Sequence, residues 1–462
     1  MQSVSALHWT ELTAAALFGL AVLHTFSTKY FEHLAHTRTA HAGLWHLLGE
    51  VEVVFGFWAF VLLVFLAAAG GWKAASGYLD DSRFVEPMFV FVIMVVCASR
   101  PVMQFVSGLV RASGMLVPLP AATSRYFLGL SLVPLLGSFV TEPAAMTIAA
   151  LTLRSTIFSG NASRALKYAT LGVLFVNVSI GGTLTHFAAP PVLMVAAKWG
   201  WDSAFVFSAF GWKAAIAVLV NASLVTFLFR RELAAKARGD EDRPELRVPA
   251  PLVFVHLVIL AGIIASSHDR EVFMGLFLLF LGLSEAYKRH HDRLMLREGL
   301  MVGFFLAGLV VLGGQQKWRL QTVLSGLDES TLFYGAAALT AITDNAALTY
   351  LGSLVEGVSD QFKYALVAGA VAGGGLTVIA NAPNPAGFAI LKDSFDERSI
   401  SPLWLLVAAL PPTLVAIFCF RGLNRATLEF FDIDAWLQWL RSLDPAFLFL
   451  LILPLPVAAA GL

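Results

Sequence analysis

Charged residues are scarce in this chain, and cysteine is nearly absent. Of the 462 residues, 13% are charged, whereas soluble domains carry roughly 25%. The two cysteines, Cys97 and Cys419, both lie in apolar runs, so neither a disulfide framework nor a cysteine-based metal site is indicated. The formal net charge is zero, and we expect no nucleic-acid partner. No phosphate-binding loop or nucleophile elbow stands out, so nothing indicates ATP-driven pumping.

The chain is instead rich in apolar sequence. Hydrophobic residues make up 58% of it, and apolar runs of about 17 residues or more, the length of a spanning helix, recur throughout. The sequence therefore predicts an all-α polytopic membrane protein. The first apolar segment has no basic n-region or clear cleavage site, so we interpret it as a retained helix. The predicted spans are 12–27, 47–70, 87–110, 165–198, 203–229, 250–266, 272–287, 299–316, 361–391 and 402–421, with a proline-interrupted apolar run at 446–462.

Two further apolar stretches, 113–158 and 318–358, are interrupted near the middle. Each is long enough to enter the bilayer, turn and leave on the same side, as a re-entrant hairpin does, provided that the turn is buried in protein or lines a wet cavity. Each also contains nearly the same acidic motif, since 141–147 reads TEPAAMT and 343–349 reads TDNAALT. The repetition predicts two related halves.

A second pair of motifs follows the hairpins. Residues 181–191 read GGTLTHFAAPP and residues 373–385 read GGGLTVIANAPNP. Glycine and proline together interrupt a helix and free backbone carbonyl and amide groups. We therefore predict a broken transmembrane helix at 165–198 and another at 361–391. The alternative for each is a simple proline kink with small residues for close packing.

Charge asymmetry gives the orientation. The basic stretches 230–247 and 288–297 are separated by two spans, so they share a side, and the positive-inside rule makes that side cytoplasmic. Hairpin 113–158 then enters from the cytoplasm and hairpin 318–358 from the opposite side. This pattern predicts inverted-topology repeats. The predicted divisions are an N-terminal helix with a histidine-containing connector (1–46), repeat 1 (47–229), a cytoplasmic linker (230–248), a connecting helix (249–271), repeat 2 (272–421) and an amphipathic and apolar C-terminal segment (422–462).

The acidic tips carry the predicted chemistry. A carboxylate at the bilayer centre costs about 2.5–3.5 kcal/mol on insertion scales, so it needs a cavity, a cation or a proton. A carboxylate that holds either a proton or a metal ion is the minimum machinery of an exchanger. Asp344 with Thr343 and Asn345 supplies hard oxygen ligands, and we predict it as the main proton and cation acceptor. Glu142 with Thr141 is the predicted second site. The alternative is that each acid merely caps a helix.

The broken helices supply further predicted ligands, namely Thr185, Thr377, Asn381 and Asn384. We predict that Asp344, Asn345 and Asn381 ligate a transported sodium ion. Sodium and protons are then substrates, and no tightly held cofactor is expected. His186 lies in the first break, where a histidine relays protons or, alternatively, only packs.

Two other functions remain open at this stage. The series His24, His33, His36, His41 and His46 allows a histidine-dependent membrane metalloenzyme, although these residues otherwise form a polar connector. Transport of an anion or weak acid, such as arsenite or a carboxylate, is favoured by half-helix dipoles and opposed by the tip carboxylates. We favour a transporter over an enzyme.

The paired tips and paired broken helices resemble the ion-transporter superfamily, which includes arsenite exporters, dicarboxylate carriers and sodium/proton antiporters. The Thr343-Asp344-Asn345 tip most resembles the sodium/proton antiporter branch, and the resemblance covers 47–421. It implies a homodimer, with elevator-type movement of the hairpins and broken helices against a fixed scaffold. We expect the protein to be a multi-pass protein of a bacterial inner membrane. Its site residues would fall on 141–142, 343–345, the Thr185 region and 377–384. Dicarboxylate carriers have Ser-Asn-Thr tips, whereas the tips here are acidic.

Overall fold

The structure is a computed structural model that describes residues 2–38, 41–82, 84–158, 162–236, 248–324, 326–395 and 400–423. All regular secondary structure within these ranges is helical, with no strand, in agreement with the predicted all-α class. Residues 237–247 of the predicted linker and residues 424–462 of the predicted C-terminal segment lie outside the described part of the chain.

The first part of the chain leads up to the first acidic tip. Its helices are α1 (Gln2–Phe26), α2 (Thr28–Thr37), α3 (Ala42–Gly49), α4 (Val51–Gly70), α5 (Trp72–Asp81), α6 (Val85–Cys97) and α7 (Arg100–Gly114). The span predicted over 87–110 is bent in the structure, where α6 and α7 meet at an angle of 67°. Pro101 accounts for the bend, because a proline there has no amide proton to donate and its ring would clash with a helical carbonyl of Cys97.

Each predicted hairpin and each predicted broken helix consists of shorter helices joined by turns, and the re-entrant course of the hairpins stays a prediction. The first hairpin comprises α8 (Ala121–Leu130), α9 (Leu132–Val140) and α10 (Glu142–Leu153), and the first broken helix comprises α11 (Arg164–Gly181) and α12 (Pro190–Trp199). They are followed by α13 (Ser203–Val206), α14 (Trp212–Leu228) and α15 (Arg230–Lys236). The second part comprises α16 (Ala250–Ala265), α17 (Arg270–Ala286), α18 (Leu296–Gly314), α19 (Lys317–Leu324), α20 (Glu329–Thr340), α21 (Asn345–Ser353), α22 (Asp360–Gly373), α23 (Asn384–Leu391) and α24 (Pro402–Gly422).

Several helices have the length and composition of membrane spans. Five described segments qualify, namely Val53–Gly70, Arg164–Leu184, Ser203–Leu228, Leu296–Gly314 and Pro402–Gly422, and the number rises to seven if each of two bent helix pairs counts as one span. The bent pairs are α6 with α7 and α8 with α9. This is the pattern of a polytopic membrane protein.

The two broken helices lie side by side in the interior. The segment Arg164–Leu184 is 83% buried within the protein, and α11 packs against α9, α14, α22 and α24. Ser179 of α11 donates a hydrogen bond of 2.8 Å to the carbonyl of Val371 in α22. Gly172 of α11 allows close approach to α24, since a Cβ there would lie 2.5 Å from the Ala408 carbonyl oxygen. Small residues at such contacts are typical of helix packing in membranes.

Candidate functional site

The tip of the first hairpin turns within one residue. Helix α9 ends at Val140, α10 begins at Glu142, and Thr141 between them has φ +70° and ψ 151°. This conformation is essentially reserved for glycine and costs a non-glycine residue about 1–3 kcal/mol. Pro143 follows in the first turn of α10, where a missing amide proton is tolerated. The sharp turn places the Glu142 side chain at the very start of α10.

Glu142 is fully enclosed by protein, with 0% of its surface exposed. Its Oε2 atom accepts a hydrogen bond of 2.7 Å from Nδ2 of Asn381. Its Oε1 atom is buried and has no hydrogen-bond partner among the described residues. Removing a carboxylate from water costs several kcal/mol unless another group compensates. A proton or a cation at the unpaired oxygen would supply such compensation.

The tip of the second hairpin is built differently. Helix α20 ends at Thr340, and Asp344 forms the N-cap of α21, where its Oδ1 atom accepts hydrogen bonds from the amides of Ala346 (2.8 Å) and Ala347 (3.0 Å). The helix-capping alternative thus describes a real interaction of Asp344. Capping by a carboxylate does not by itself exclude a bound ion. The neighbouring Asn345 is 0% exposed, and neither of its amide atoms has a partner in the described part of the chain.

Both predicted helix breaks are present. After α11, a 3-10 turn (Gly182–Leu184) and extended backbone at Thr185 lead to α12, which starts at Pro190. After α22, irregular backbone and a 3-10 turn (Val378–Ala380) lead to α23, which starts at Asn384. The glycine and proline clusters interrupt the helices at the positions that the sequence predicts.

Each break is fastened to the hairpin that precedes it by an equivalent threonine. The Thr185 hydroxyl donates to the Ser138 carbonyl over 2.6 Å, and the Thr377 hydroxyl donates to the Ala341 carbonyl over 2.9 Å. Both accepting carbonyls lie two or three residues before a tip threonine. Matched contacts of this kind are what a structural repeat would produce.

Asn384 stabilises the second break directly. Its Nδ2 atom donates hydrogen bonds of 2.8 Å to the carbonyls of Gly374 and Thr377. Its Oδ1 atom is buried without a partner among the described residues, as is Oδ1 of Asn381. Several predicted ligands therefore share one property, a buried side-chain oxygen that no described donor satisfies: Thr141, Glu142, Asn345, Asn381 and Asn384.

This donor set has a clear chemical preference. Carboxylate, amide and hydroxyl oxygens are hard ligands that suit small hard cations. They come from both hairpin tips and from the second break, and the Asn381–Glu142 hydrogen bond joins the two halves directly. A buried oxygen-rich site containing a carboxylate can hold a cation when ionised and a proton when neutral.

The family model described as "Putative Na+/H+ antiporter" matches residues 9–423, which is most of the chain. The chain belongs to this family. The resemblance to the sodium/proton antiporter branch is thereby confirmed. No curated protein matches the chain. Membership supports cation/proton exchange by an integral membrane transporter rather than an enzyme.

The remaining predicted site residues of the antiporter have other surroundings. Thr343 lies half-buried in the turn before Asp344. His186 is half-buried, its Nδ1 atom lies 2.8 Å from the Ser203 hydroxyl, and its ring lies 6.2 Å from the ring of His268. A relay role for His186 stays a prediction.

The N-terminal histidines of the antiporter have mostly structural surroundings. His24 is buried, its Nε2 atom lies 3.0 Å from the Leu48 carbonyl oxygen, and its Nδ1 atom accepts from Trp58 over 3.1 Å. The rings of His36 and His46 meet edge to face at 5.6 Å. Across the described ranges, no group of three or more His, Cys, Asp or Glu side chains is arranged to hold a metal ion. The metalloenzyme alternative therefore gains no support from the described residues.

The sequence interpretation missed Ser138, which ties the first break of the antiporter to the first hairpin. Its hydroxyl donates to the Gly181 carbonyl over 2.7 Å and accepts from the Leu184 amide over 2.8 Å. Its own carbonyl accepts from Thr185. The available signal was a lone serine three residues before the tip, but serines in apolar helices often bond only to their own helix.

Proposed function

We propose that this protein is a secondary active antiporter that exchanges sodium ions for protons across a membrane. The observation that carries the proposal is the fully buried Glu142 carboxyl, which has one oxygen bonded to Asn381 and the other unpaired. Family membership supports the general reaction. The hard oxygen donors around the tips support a small monovalent cation as the second substrate.

Coupling follows from the cost of burying an uncompensated charge. An ionised Glu142 in the closed site needs a cation beside Oε1, whereas a protonated Glu142 needs none. The empty ionised site is therefore unfavourable to enclose, and the protein changes conformation with either a proton or a cation bound. The Asn381 amide suits both states, because its Nδ2 atom donates to a carboxylate and its Oδ1 atom accepts from a carboxylic acid.

The geometry suggests a different ranking of the two acids from the one based on sequence. Asp344 is half-buried and has a capping role, whereas Glu142 is fully buried. We propose Glu142 as the principal exchanging group and Asp344 as a second carboxylate close enough to act on it electrostatically. Thr141, Asn345, Asn381 and Asn384 are proposed as neutral ligands, since each has an unsatisfied buried oxygen.

Transport also requires movement, and an elevator is proposed for it. The hairpins and broken helices would move together, because Thr185 and Thr377 bond each break to its hairpin. The inverted repeats, the homodimer and a bacterial inner membrane belong to the same proposal. The matched threonine contacts support the repeats, and the resemblance of the motifs supports the homodimer.

The test is a reconstitution of the purified full-length chain into proteoliposomes with a pH-sensitive dye inside. An inward sodium gradient should drive proton exit from wild-type vesicles. Glu142→Gln and Asp344→Asn should each abolish or strongly reduce this flux while folding persists, and Glu298→Gln, which alters an exposed glutamate in the first turn of α18, should not. Full exchange in both acid variants would refute the proposal. Sodium-dependent uptake of a labelled anion would favour the anion alternative.

A further inference from the structure

Gly182 lies directly beside the unpaired oxygen of Glu142. A Cβ at Gly182 would lie 2.5 Å from Oε1, 2.7 Å from Cγ and 3.0 Å from Cδ of Glu142. Approaches this close are far inside van der Waals contact. Since Asn381 holds the other oxygen of the carboxylate, the carboxylate is confined between the Asn381 amide and the bare backbone of Gly182.

The backbone conformation does not explain the glycine. Gly182 has φ −71° and ψ −7°, which lies in a region that other residues also adopt. The adjacent Gly181 has another role, because its missing Cβ faces the Pro134 carbonyl oxygen at 2.7 Å and so permits helix packing. At Gly182 the space is filled by the end of a flexible side chain rather than by fixed backbone.

The second half has a glycine at the equivalent position, but its surroundings differ. Gly374 occupies this position in the Gly-Gly motif and has φ −64° and ψ −13°. A Cβ there would overlap the Ser179 hydroxyl, which already donates to the Val371 carbonyl, and would lie 2.8 Å from the amide nitrogen of Asn345. An amide nitrogen donates hydrogen bonds and does not ligate a cation. Of the two glycines, therefore, Gly182 is the one that faces an unsatisfied carboxylate oxygen.

We propose that Gly182 sets the size of the cation compartment at the first tip and thereby selects among alkali ions. The inference rests on the proposed function and names its specificity residue. A methyl group at Gly182 would reduce the space next to Oε1, so a smaller ion would be favoured over a larger one. Because the obstructing atoms belong to a side chain that can shift, the substitution should alter the site more than the fold.

The test compares Gly182→Ala with the wild type in proteoliposomes, using lithium, sodium and potassium chloride as the driving salts. The ratio of the apparent KM for sodium to that for lithium should rise about tenfold, which corresponds to about 1.4 kcal/mol of difference in binding free energy between the two ions. The matched control is Gly335→Ala in α20, where a Cβ would meet nothing within 4 Å. It should leave the ratio unchanged.

A second variant changes the compartment in the opposite sense. Glu142→Asp keeps the charge but shortens the side chain and enlarges the space. The apparent KM values for sodium and potassium should therefore fall relative to that for lithium. If Gly182→Ala raised the apparent KM for all three ions by the same factor, the inference would be overturned. If Gly182→Ala does not fold, an unchanged ion series in Glu142→Asp would overturn it instead.

Thermal stabilisation of the purified variants by the same three salts separates the two proposals. A wild type that is stabilised by alkali ions but exchanges none of them would refute the proposed function. In that case, the order in which the three salts stabilise the wild type and Gly182→Ala would still test the compartment. A wild type that exchanges sodium for protons while Gly182→Ala keeps its lithium-to-sodium ratio would refute the compartment alone. No stabilisation and no exchange would refute both.

Discussion

The amide of Asn381 donates a hydrogen bond of 2.7 Å to the carboxylate of Glu142, although 239 residues separate the two in sequence. Asn381 lies in the second helix break and Glu142 at the first hairpin tip. The contact therefore couples the two halves at the most deeply buried carboxyl group of the candidate site.

Replacing Asn381 with alanine removes the only described donor to this carboxylate. Hydrogen bonds to charged groups contribute about 1.5–3 kcal/mol. We expect Asn381→Ala to raise the apparent KM for sodium by about ten- to a hundredfold in the vesicle assay. Asn221→Ala serves as the control, because Asn221 is also buried but bonds to Asn177 and the Pro412 carbonyl. It should lower stability without changing sodium affinity. An unchanged KM in Asn381→Ala would contradict the assigned role.

Thr141 stores backbone strain at the first tip, with φ +70°. Glycine adopts this conformation without a steric penalty, so Thr141→Gly should raise the unfolding free energy by about 1 kcal/mol after the extra flexibility of the unfolded chain is counted. The same variant loses the buried Thr141 hydroxyl and should exchange sodium less well. Thermal unfolding and vesicle assays measure the two effects.

The equivalent change at the second tip, Thr343→Gly, is the control for the strain prediction. Thr141 alone among the described non-glycine residues has positive φ, so Thr343→Gly should be destabilising. Equal losses of stability in the two variants would show that the first tip is unstrained.

Ser138 should matter for both stability and affinity. Ser138→Ala removes a hydrogen bond to Gly181 and leaves the Leu184 amide without its acceptor. At about 1 kcal/mol for each bond, we expect a loss of about 2 kcal/mol together with a higher apparent KM for sodium. Ser208→Ala, which alters an exposed serine bonded within its own helix, should change neither quantity. A stability loss with unchanged KM would restrict Ser138 to a structural role.

His291, in the basic connector between α17 and α18, should make stability depend on pH. Burial, followed by the neighbouring His256 and His290, lowers the pKa of His291 to about 4, and Asp292 acts in the opposite direction. Its ring lies 4.9 Å from that of His256 and 6.5 Å from that of Phe280. The unfolded chain, with a histidine pKa of about 6.5, binds more protons than the folded protein between these values. Stability should therefore fall as the pH decreases from about 6.5 to 4.

The measurement is the thermal unfolding midpoint of the detergent-solubilised protein across this pH range at constant salt. His291→Gln should flatten the dependence, whereas His33→Gln, at an exposed position, should preserve it. Identical pH profiles for the wild type and His291→Gln would contradict the prediction.

The sequence alone predicted the helical class, the two hairpin tips and the two helix breaks. These features depend on local signals, namely apolar run length, glycine and proline clusters, and a repeated acidic motif. The same local signals did not predict the bend within 87–110, where the chain turns by 67° between α6 and α7 next to Pro101. A proline near the middle of an apolar run marks a break that length and composition overlook.

The tertiary structure decided how the tips differ. By sequence, Asp344 ranks above Glu142 because Thr343 and Asn345 flank it with neutral oxygens. In the folded chain, Asp344 caps its helix, and Glu142 receives its amide partner from the other half. Burial and long-range pairing result from how the helices pack, so a local motif determines which residue types are available, and packing determines which of them meet.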